Sequence, residues 1–376
     1  MATNKTDKVL NVPTLRFPSF TEEWQKHSLD KLGTTIIGLT YSPSDVVKEN
    51  GTIVFRSSNI QNGEIDYSDI VRVGKEIKPV LRTKESDILI CARNGSSRLI
   101  GKNAILKKSD EGQTFGAFMM IYRSKYNKFI RQLLNTKRYS MQVAQNIGAR
   151  INQITTSDLN NFIFNFPTNP HEQKKIADFL SFLDERIALQ SKLIDRLKSL
   201  MDGIIDKVTA RTPNVSIGEC LDCYSSNLQE CETEEQGTYP VYGANGVCGY
   251  LDYATISAPA ILIVKDGSGV GNVSYTNGNC SVVGTLNYLQ PKKDVSAKFL
   301  YFVLKRFNFQ PYKTGMAIPH IYFKAYSKAR IFCPDYEEQT RMAESLSRIE
   351  NKIVLEERLL CLLQEQKHYQ LSAMFI

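Results

Sequence analysis

Along two stretches of this chain, apolar residues recur in alternating steps of four and three. Ile176, Leu180, Leu183, Ile187, Ile194, Leu197, Met201, Ile204 and Val208 keep the step in the first stretch, where Gln190 is the one polar interruption. Met342, Leu346, Ile349, Ile353, Leu360 and Leu363 keep it in the second, and Glu356 stands where Gln190 stood. Such an alternation makes one continuous apolar stripe on a helix, and a lone helix would leave that stripe in water. Each stretch is the obvious cover for the other, so the spacing predicts two long helices paired in a coiled coil. A polar residue in a seam costs stability but fixes register, so Gln190 and Glu356 are expected to set how the helices slide; a side chain reaching solvent at the seam edge is the alternative. After Leu363 the second stretch loses its seam, with Lys367 and Gln370 at positions where apolar residues are expected.

Ahead of each helix the periodicity shortens. Residues 12–166 mix short β-rich runs, at 52–55 and 87–92, with turn clusters at Asn62-Gly63 and Asn94-Gly95-Ser96-Ser97. A helical pattern follows over 128–145, then a strand-like exit at 161–166. Residues 213–333 keep the same order: an apolar run at 260–265, a turn at Asp266-Gly267-Ser268-Gly269, a helical stretch at 298–308, and an exit opened by Gly315. The interval from Gly148 to Pro167 equals that from Gly315 to Pro334, with Ile151 over Ile318 and Ile154 over Ile321. The duplication therefore covers globules as well as helices. The expected architecture is mixed α/β (α+β), with two globular domains, at 1–168 and 211–334. Two long antiparallel coiled-coil helices, at 169–210 and 335–376, separate them in a pseudo-two-fold internal repeat.

Composition narrows the picture without replacing it. With 376 residues, 42% of them apolar and 10% aromatic, the chain has material for two cores. A net charge of +8 leans toward a polyanionic partner. No stretch has the roughly 20 apolar residues that span a bilayer, and the start MATNKTDKVLN lacks the apolar core of a signal peptide, so no membrane partner and a cytoplasmic location are expected. Of the eight cysteines only Cys91 precedes Cys220, a lopsided use that argues for reduced thiols rather than a disulfide framework.

The search for reacting groups is mostly negative. There is no Asn-Pro-Pro-aromatic tetrapeptide of the kind adenine methyltransferases use. Gly267-Ser268-Gly269-Val270-Gly271-Asn272 has its third glycine one position early for a dinucleotide loop and runs into Val273-Ser274-Tyr275 rather than a helix. His171-Glu172 starts like a zinc-protease motif, yet Lys175 occupies the second ligand position. Cys220-x-x-Cys223 with Cys231 and Cys248 could place four thiolates on zinc, but the spacing after the first pair is irregular, and unligated thiols are the expected reading. No catalytic residue, cofactor or metal is expected.

Two globules, each closed by a Pro-x-x-x-Glu-Gln type start (NPHEQKKIADFLSFLDERI and PDYEEQTRMAESLSRIENKI) into a long helix, resemble the specificity subunit of type I restriction-modification enzymes. The segments VPTLRFPSFTEEWQKHSLDKLG and GTYPVYGANGVCGYLDYA are also similar to opening segments of that family's target-recognition domains. The resemblance implies a non-catalytic subunit that binds double-stranded DNA, each globule recognising one half of a split target and the paired helices acting as spacer. It further implies docking of two modification subunits, which methylate adenine, and of restriction subunits that carry the motor and nuclease. At about 1.5 Å per residue, roughly 35–40 helical residues give a rod of about 50–60 Å. The competing reading is a coiled-coil scaffold whose globules bind something other than DNA.

Reading bases in the major groove requires Arg for guanine, Asn or Gln for adenine, and Ser or Thr for either, with Lys and Arg neutralising phosphates around them. In the first globule the candidates are Arg56, Ser57, Asn59, Arg93, Asn94, Ser96, Arg98, Lys102, Arg150 and Asn152. In the second they are Asn245, Lys265, Ser268, Asn272, Lys313, His320 and Lys324. Arg93 and Lys265, just after the matched apolar runs, lead. The helices and the framework around Gly148 and Gly315 match between the copies, whereas these loops do not. A symmetric frame with two different readers predicts a target whose halves are unrelated.

Overall fold

The computed structural model of the protein describes residues 11–147 and 152–376. Two compact units emerge, one taking in the chain up to Leu189 together with Leu360–Ile376, the other Gln190–Leu359. Both are mixed α/β.

In the first unit, a four-stranded antiparallel sheet runs in the order Thr34–Ile37, Met119–Arg123, Ile88–Cys91, Asn103–Ile105. Every residue of Ile88–Cys91 is buried. Because side chains alternate across a strand, Ile88 and Ile90 join a core with Trp24, Phe129 and Phe164, while Leu89 and Cys91 join another with Phe55, Phe115 and Ile121. A strand covered on both faces reads as an unbroken apolar run, which is what this segment shows. A second four-stranded sheet contains Thr114–Phe115 parallel to Thr52–Phe55. Gln25–Ser28 and Ile163–Phe166 pair antiparallel and close the unit.

The second unit repeats this topology. Its main sheet has the order Leu221–Ser225, Leu286–Pro291, Ala260–Val264, Val273–Thr276; a second sheet holds Ser281–Val282 parallel to Tyr239–Gly243; Val215–Ser216 and Arg330–Ile331 close it. Helices Asn127–Leu133 and Ala297–Lys305 occupy the same place in the two orders.

The long helices are Pro170–Thr209 and Tyr336–Met374. Both starts use one device, which explains the repeated Glu-Gln. Gln173 Nε2 donates to the Pro167 carbonyl and Gln339 Nε2 to the Pro334 carbonyl, each at 2.8 Å, turning the chain into its helix. The neighbouring glutamates each accept from an arginine at the opposite end of the same unit: Arg16 grips Glu172 through two bonds of 2.6 and 2.8 Å, and Arg211 reaches Glu338 at 2.9 Å. Arg16-Phe17-Pro18 and Arg211-Thr212-Pro213 share an Arg-x-Pro pattern, a repeat that the helix periodicity does not reveal.

The seam departs from the expected one in three ways. Ile205 rather than Ile204 is fully buried, Ala343 is buried beside a half-buried Met342, and Ile187, Leu197, Ile349 and Leu360 are half-buried. An α-helix has 3.6 residues per turn, so a stripe projected at 3.5 drifts off the contact line. Gln190 and Glu356 are buried, not solvent-facing: Gln190 Nε2 donates to the Glu356 carbonyl at 3.0 Å and also to its carboxylate. Nor is the seam lost after Leu363. Lys367 forms an ion pair with Asp184, and Leu371, Met374 and Phe375 bury themselves in the first unit's core with Ile176, Leu180 and Leu183.

Candidate nucleic-acid interface

In the first unit, the buried strand Ile88–Cys91 delivers the chain into a loop that carries half of that unit's expected readers. The loop is tied at its base. Ala92 and Arg93 both donate their N–H to the Phe118 carbonyl at 2.9 and 3.0 Å, and Ile154 N donates to the Ala92 carbonyl at 2.9 Å. Asn152 Nδ2 donates to the Gly95 carbonyl, while Asn94 donates to Ser57 Oγ at 2.9 Å and accepts from Ser96 N at 3.0 Å. Ser57, Asn94, Ser96 and Asn152 are thus brought into one network. Arg93 is exposed, with its guanidinium carbon 5.1 Å from the ring centroid of Phe118, itself 58% exposed. Stacking on a ring holds the planar fork of Arg in place without using its donors.

Two candidates have other work. Asn59 is wholly buried; its amide donates to the Asp66 and Asp69 carbonyls and its Oδ1 accepts from Arg56 N, so it braces the loop and cannot reach a base. This corrects the sequence reading, which took a turn Asn for a surface donor. Arg56 is held by Asp69 at 2.7 Å. Arg98 is exposed and Lys102 half-buried, and neither forms an ion pair among the described residues. Arg150 lies outside the described residues, as do Gly148 and Ile151.

The second unit builds the same base from different side chains. Ile321 N donates to the Lys265 carbonyl and Gly267 N to the Pro319 carbonyl, each at 2.9 Å, mirroring the bonds of Ile154 to Ala92 and Asn94 to Asn152. The framework therefore matches Lys265 with Ala92, and Asp266 with Arg93. The two strands end at matched positions, Cys91 and Val264, but Ala92 prolongs the first apolar run by one residue where Lys265 ends the second, which is why the sequence pairing slips by one. Thr314 and His320 exchange backbone bonds of 2.9 and 2.8 Å, and the His320 ring meets that of Tyr322, 61% exposed, at 5.0 Å. Ser268, Asn272 and Lys324 are exposed and Lys313 half-buried; Asn245 lies exposed at the turn joining Tyr239–Gly243 to Gly246–Leu251.

Sequence reasoning missed Phe118, Tyr322 and Asp266. An exposed aromatic at the end of an otherwise buried strand is visible only once the strand's ends are known.

The thiols do not converge. Cys220 lies beside Cys333, which holds its thiol below the usual value, whereas burial pushes the Cys223 thiol up to about 11. Among the described residues no three His, Cys, Asp or Glu side chains are grouped to hold a metal, and no helix is long and apolar enough to cross a membrane.

Comparison with known proteins bears on both units. Residues 21–199 and 216–365 match the family described as type I restriction modification DNA specificity domain. The chain is 30% identical over 171 residues to the type I restriction enzyme EcoKI specificity subunit of Escherichia coli (strain K12), covering 43% of this chain and 36% of that one. It is 26% identical over 198 residues to the StySPI specificity subunit of Salmonella potsdam, covering 50% and 42% respectively. The chain thus spans less than half the length of these relatives. In fold it is similar to the crystal structure of a type I restriction-modification S subunit from M. genitalium, with a TM-score of 0.71, 19% identity, and coverage of 97% of this chain and 99% of that one.

Proposed function

Because the chain belongs to the type I restriction-modification DNA specificity family, and is as such a non-catalytic subunit, we propose that its two globules each read one half of a split duplex DNA target. The observation that carries this reading is the pair of tied loops. One backbone frame, built from the same bonds in both units, presents Arg93 over Phe118 in one and Asp266 near His320 and Tyr322 in the other. Arg suits guanine, whereas a carboxylate accepts from the cytosine amino group, so the two loops favour unlike bases. The division into recognition domains at 1–168 and 211–334, with helices at 169–210 and 335–376 between them, belongs to the same proposal.

The helices serve the partners. Phe182, Leu189, Leu193 and Leu200 on the first, and Leu355, Leu362 and Tyr369 on the second, are 40–66% exposed although apolar. Leu355, Leu362 and Tyr369 recur at heptad spacing, which makes a second stripe beside the buried one. An exposed stripe of this kind calls for a protein partner, here the two adenine-modifying subunits, with restriction subunits joining that assembly. Mapping methylated adenines in cells with and without this chain tests the whole reading. A split motif that vanishes with the chain supports it, and unchanged methylation overturns it.

A further inference from the structure

A second basic feature of the first unit lies beside the reading loop and includes two of the expected DNA-binding residues, Arg98 and Lys102. Residues 97–103 and the helices Asn127–Leu133 and Lys137–Asn146 wall a cleft of about 580 Å³. Among the described residues, Arg98, Lys102, Arg131 and Lys367 line it, and no Asp or Glu does. Lys367 is neutralised by Asp184, but Arg98, Lys102 and Arg131 form no ion pair among the described residues.

Arg131 is the informative member. Only 8% of it is exposed, and among the described residues its guanidinium makes a single hydrogen bond, from Nη1 to Asn135 Oδ1. A guanidinium has five N–H donors, and leaving a buried cation with most of them unused is costly unless an anion completes the set. Asp184 attracts it through space but gives its own carboxylate to Lys367. The turn Asn62-Gly63 is pressed close above: both residues have positive φ, 51° and 79°, and a Cβ on Gly63 would lie 2.4 Å from Arg131 Nη2. Any side chain at that position would push the guanidinium aside. The glycine leaves it both sheltered and uncovered.

We infer that this cleft holds a phosphate group, gripped by Arg131 and flanked by Arg98 and Lys102. A tetrahedral dianion or phosphodiester matches a planar fork and two flexible cations better than a carboxylate does, since its oxygens diverge toward all three. Continuity with the reading loop, through Ser96, Ser97 and Arg98, makes a backbone phosphate of bound DNA the source. A free phosphate or nucleotide shares the chemistry. The inference rests on the DNA reading above for its source, not for its site.

The test uses the full chain and three variants: Arg98→Gln and Lys102→Gln, which leave the core untouched, and Arg131→Lys, which keeps the charge and loses the fork. Binding of a duplex is measured from about 50 to 300 mM salt, together with the thermal midpoint of DNA-free protein in inorganic phosphate. If DNA supplies the phosphate, each Gln variant lowers the slope of log K against log salt by about one and leaves base preference unchanged. If a free phosphate is the source, slopes stay equal, while millimolar phosphate raises the wild-type midpoint and the variants lose that rise. Equal slopes and no phosphate-dependent rise overturn the inference. In that last case a wild-type chain that still prefers one DNA sequence shows that the cleft reading alone has failed; a chain that binds no DNA fails the proposed function separately.

Discussion

Arg93 and Asp266 hold one framework position in two loops and carry opposite charges. Among the described residues Arg93 makes no side-chain hydrogen bond, and it stacks on Phe118, so its loss should cost recognition and not folding. Arg93→Ala is expected to weaken binding to one half-site by about 1–3 kcal/mol, roughly 5- to 150-fold, with the other half-site unaffected. Arg93→Lys should recover little, because an ammonium lacks the planar fork. Unchanged affinity and preference at several salt concentrations would remove Arg93 from the interface. Glu350 is the contrasting case, a charge used for stability. Burial raises its pKa, but hydrogen bonds from Tyr301 at 2.5 Å and Lys298 at 2.9 Å, with the charges of Lys298 and Lys305, leave it below the usual carboxylate value. A depressed carboxylate contributes stability above its unfolded pKa, near 4.3, and loses it as pH falls through the folded value. Glu350→Gln should therefore destabilise by about 2 kcal/mol at pH 7, with the gap to wild type closing below about pH 4 in a denaturant series. A gap that persists in acid would show that the loss is one of packing.

The elements were far more legible than the contacts that position them. The β-rich run at 87–92 announced the strand Ile88–Cys91, though not that both its faces are covered, and the repeated steps announced both long helices. Asn59 was misread because Asn serves equally as a surface donor and as a buried brace, and only Asp66 and Asp69, distant along the loop, decide which. Lys367 looked like the end of a seam because its partner Asp184 belongs to the other helix. The Gln190 and Glu356 pair shows how a seam tolerates polarity: the amide satisfies both a carbonyl and a carboxylate, and Lys352 also pairs with Glu356. Gln190→Leu alone should destabilise by about 1–2 kcal/mol, since the carboxylate then loses a buried donor. Gln190→Leu with Glu356→Leu should recover wild-type stability or exceed it, because a packed apolar pair escapes the desolvation cost. A double variant weaker than the single one in thermal melting would mean that the polar pair itself stabilises the seam.

For the molecule as a whole, the two helices face two demands at once. The inward stripe must be apolar to join the helices, and an outward apolar stripe is a liability unless something covers it. Leu355, Leu362 and Tyr369 are 56–62% exposed, so replacing them by Ser removes little packing and should change stability by no more than about 0.5 kcal/mol. Their cost should appear in assembly instead. Interfaces concentrate their energy in a few large side chains, and a Tyr with two leucines at heptad spacing is such a set. The triple variant is expected to keep its footprint on a split DNA target while failing to co-elute with modification subunits. That outcome would separate reader from dock, as the proposed function requires: loops that set which sequence is bound, and helices that set what is brought to it. Co-elution that survives the triple substitution would move the dock to another face, for which the Phe182, Leu189, Leu193 and Leu200 stripe of the other helix is the next test.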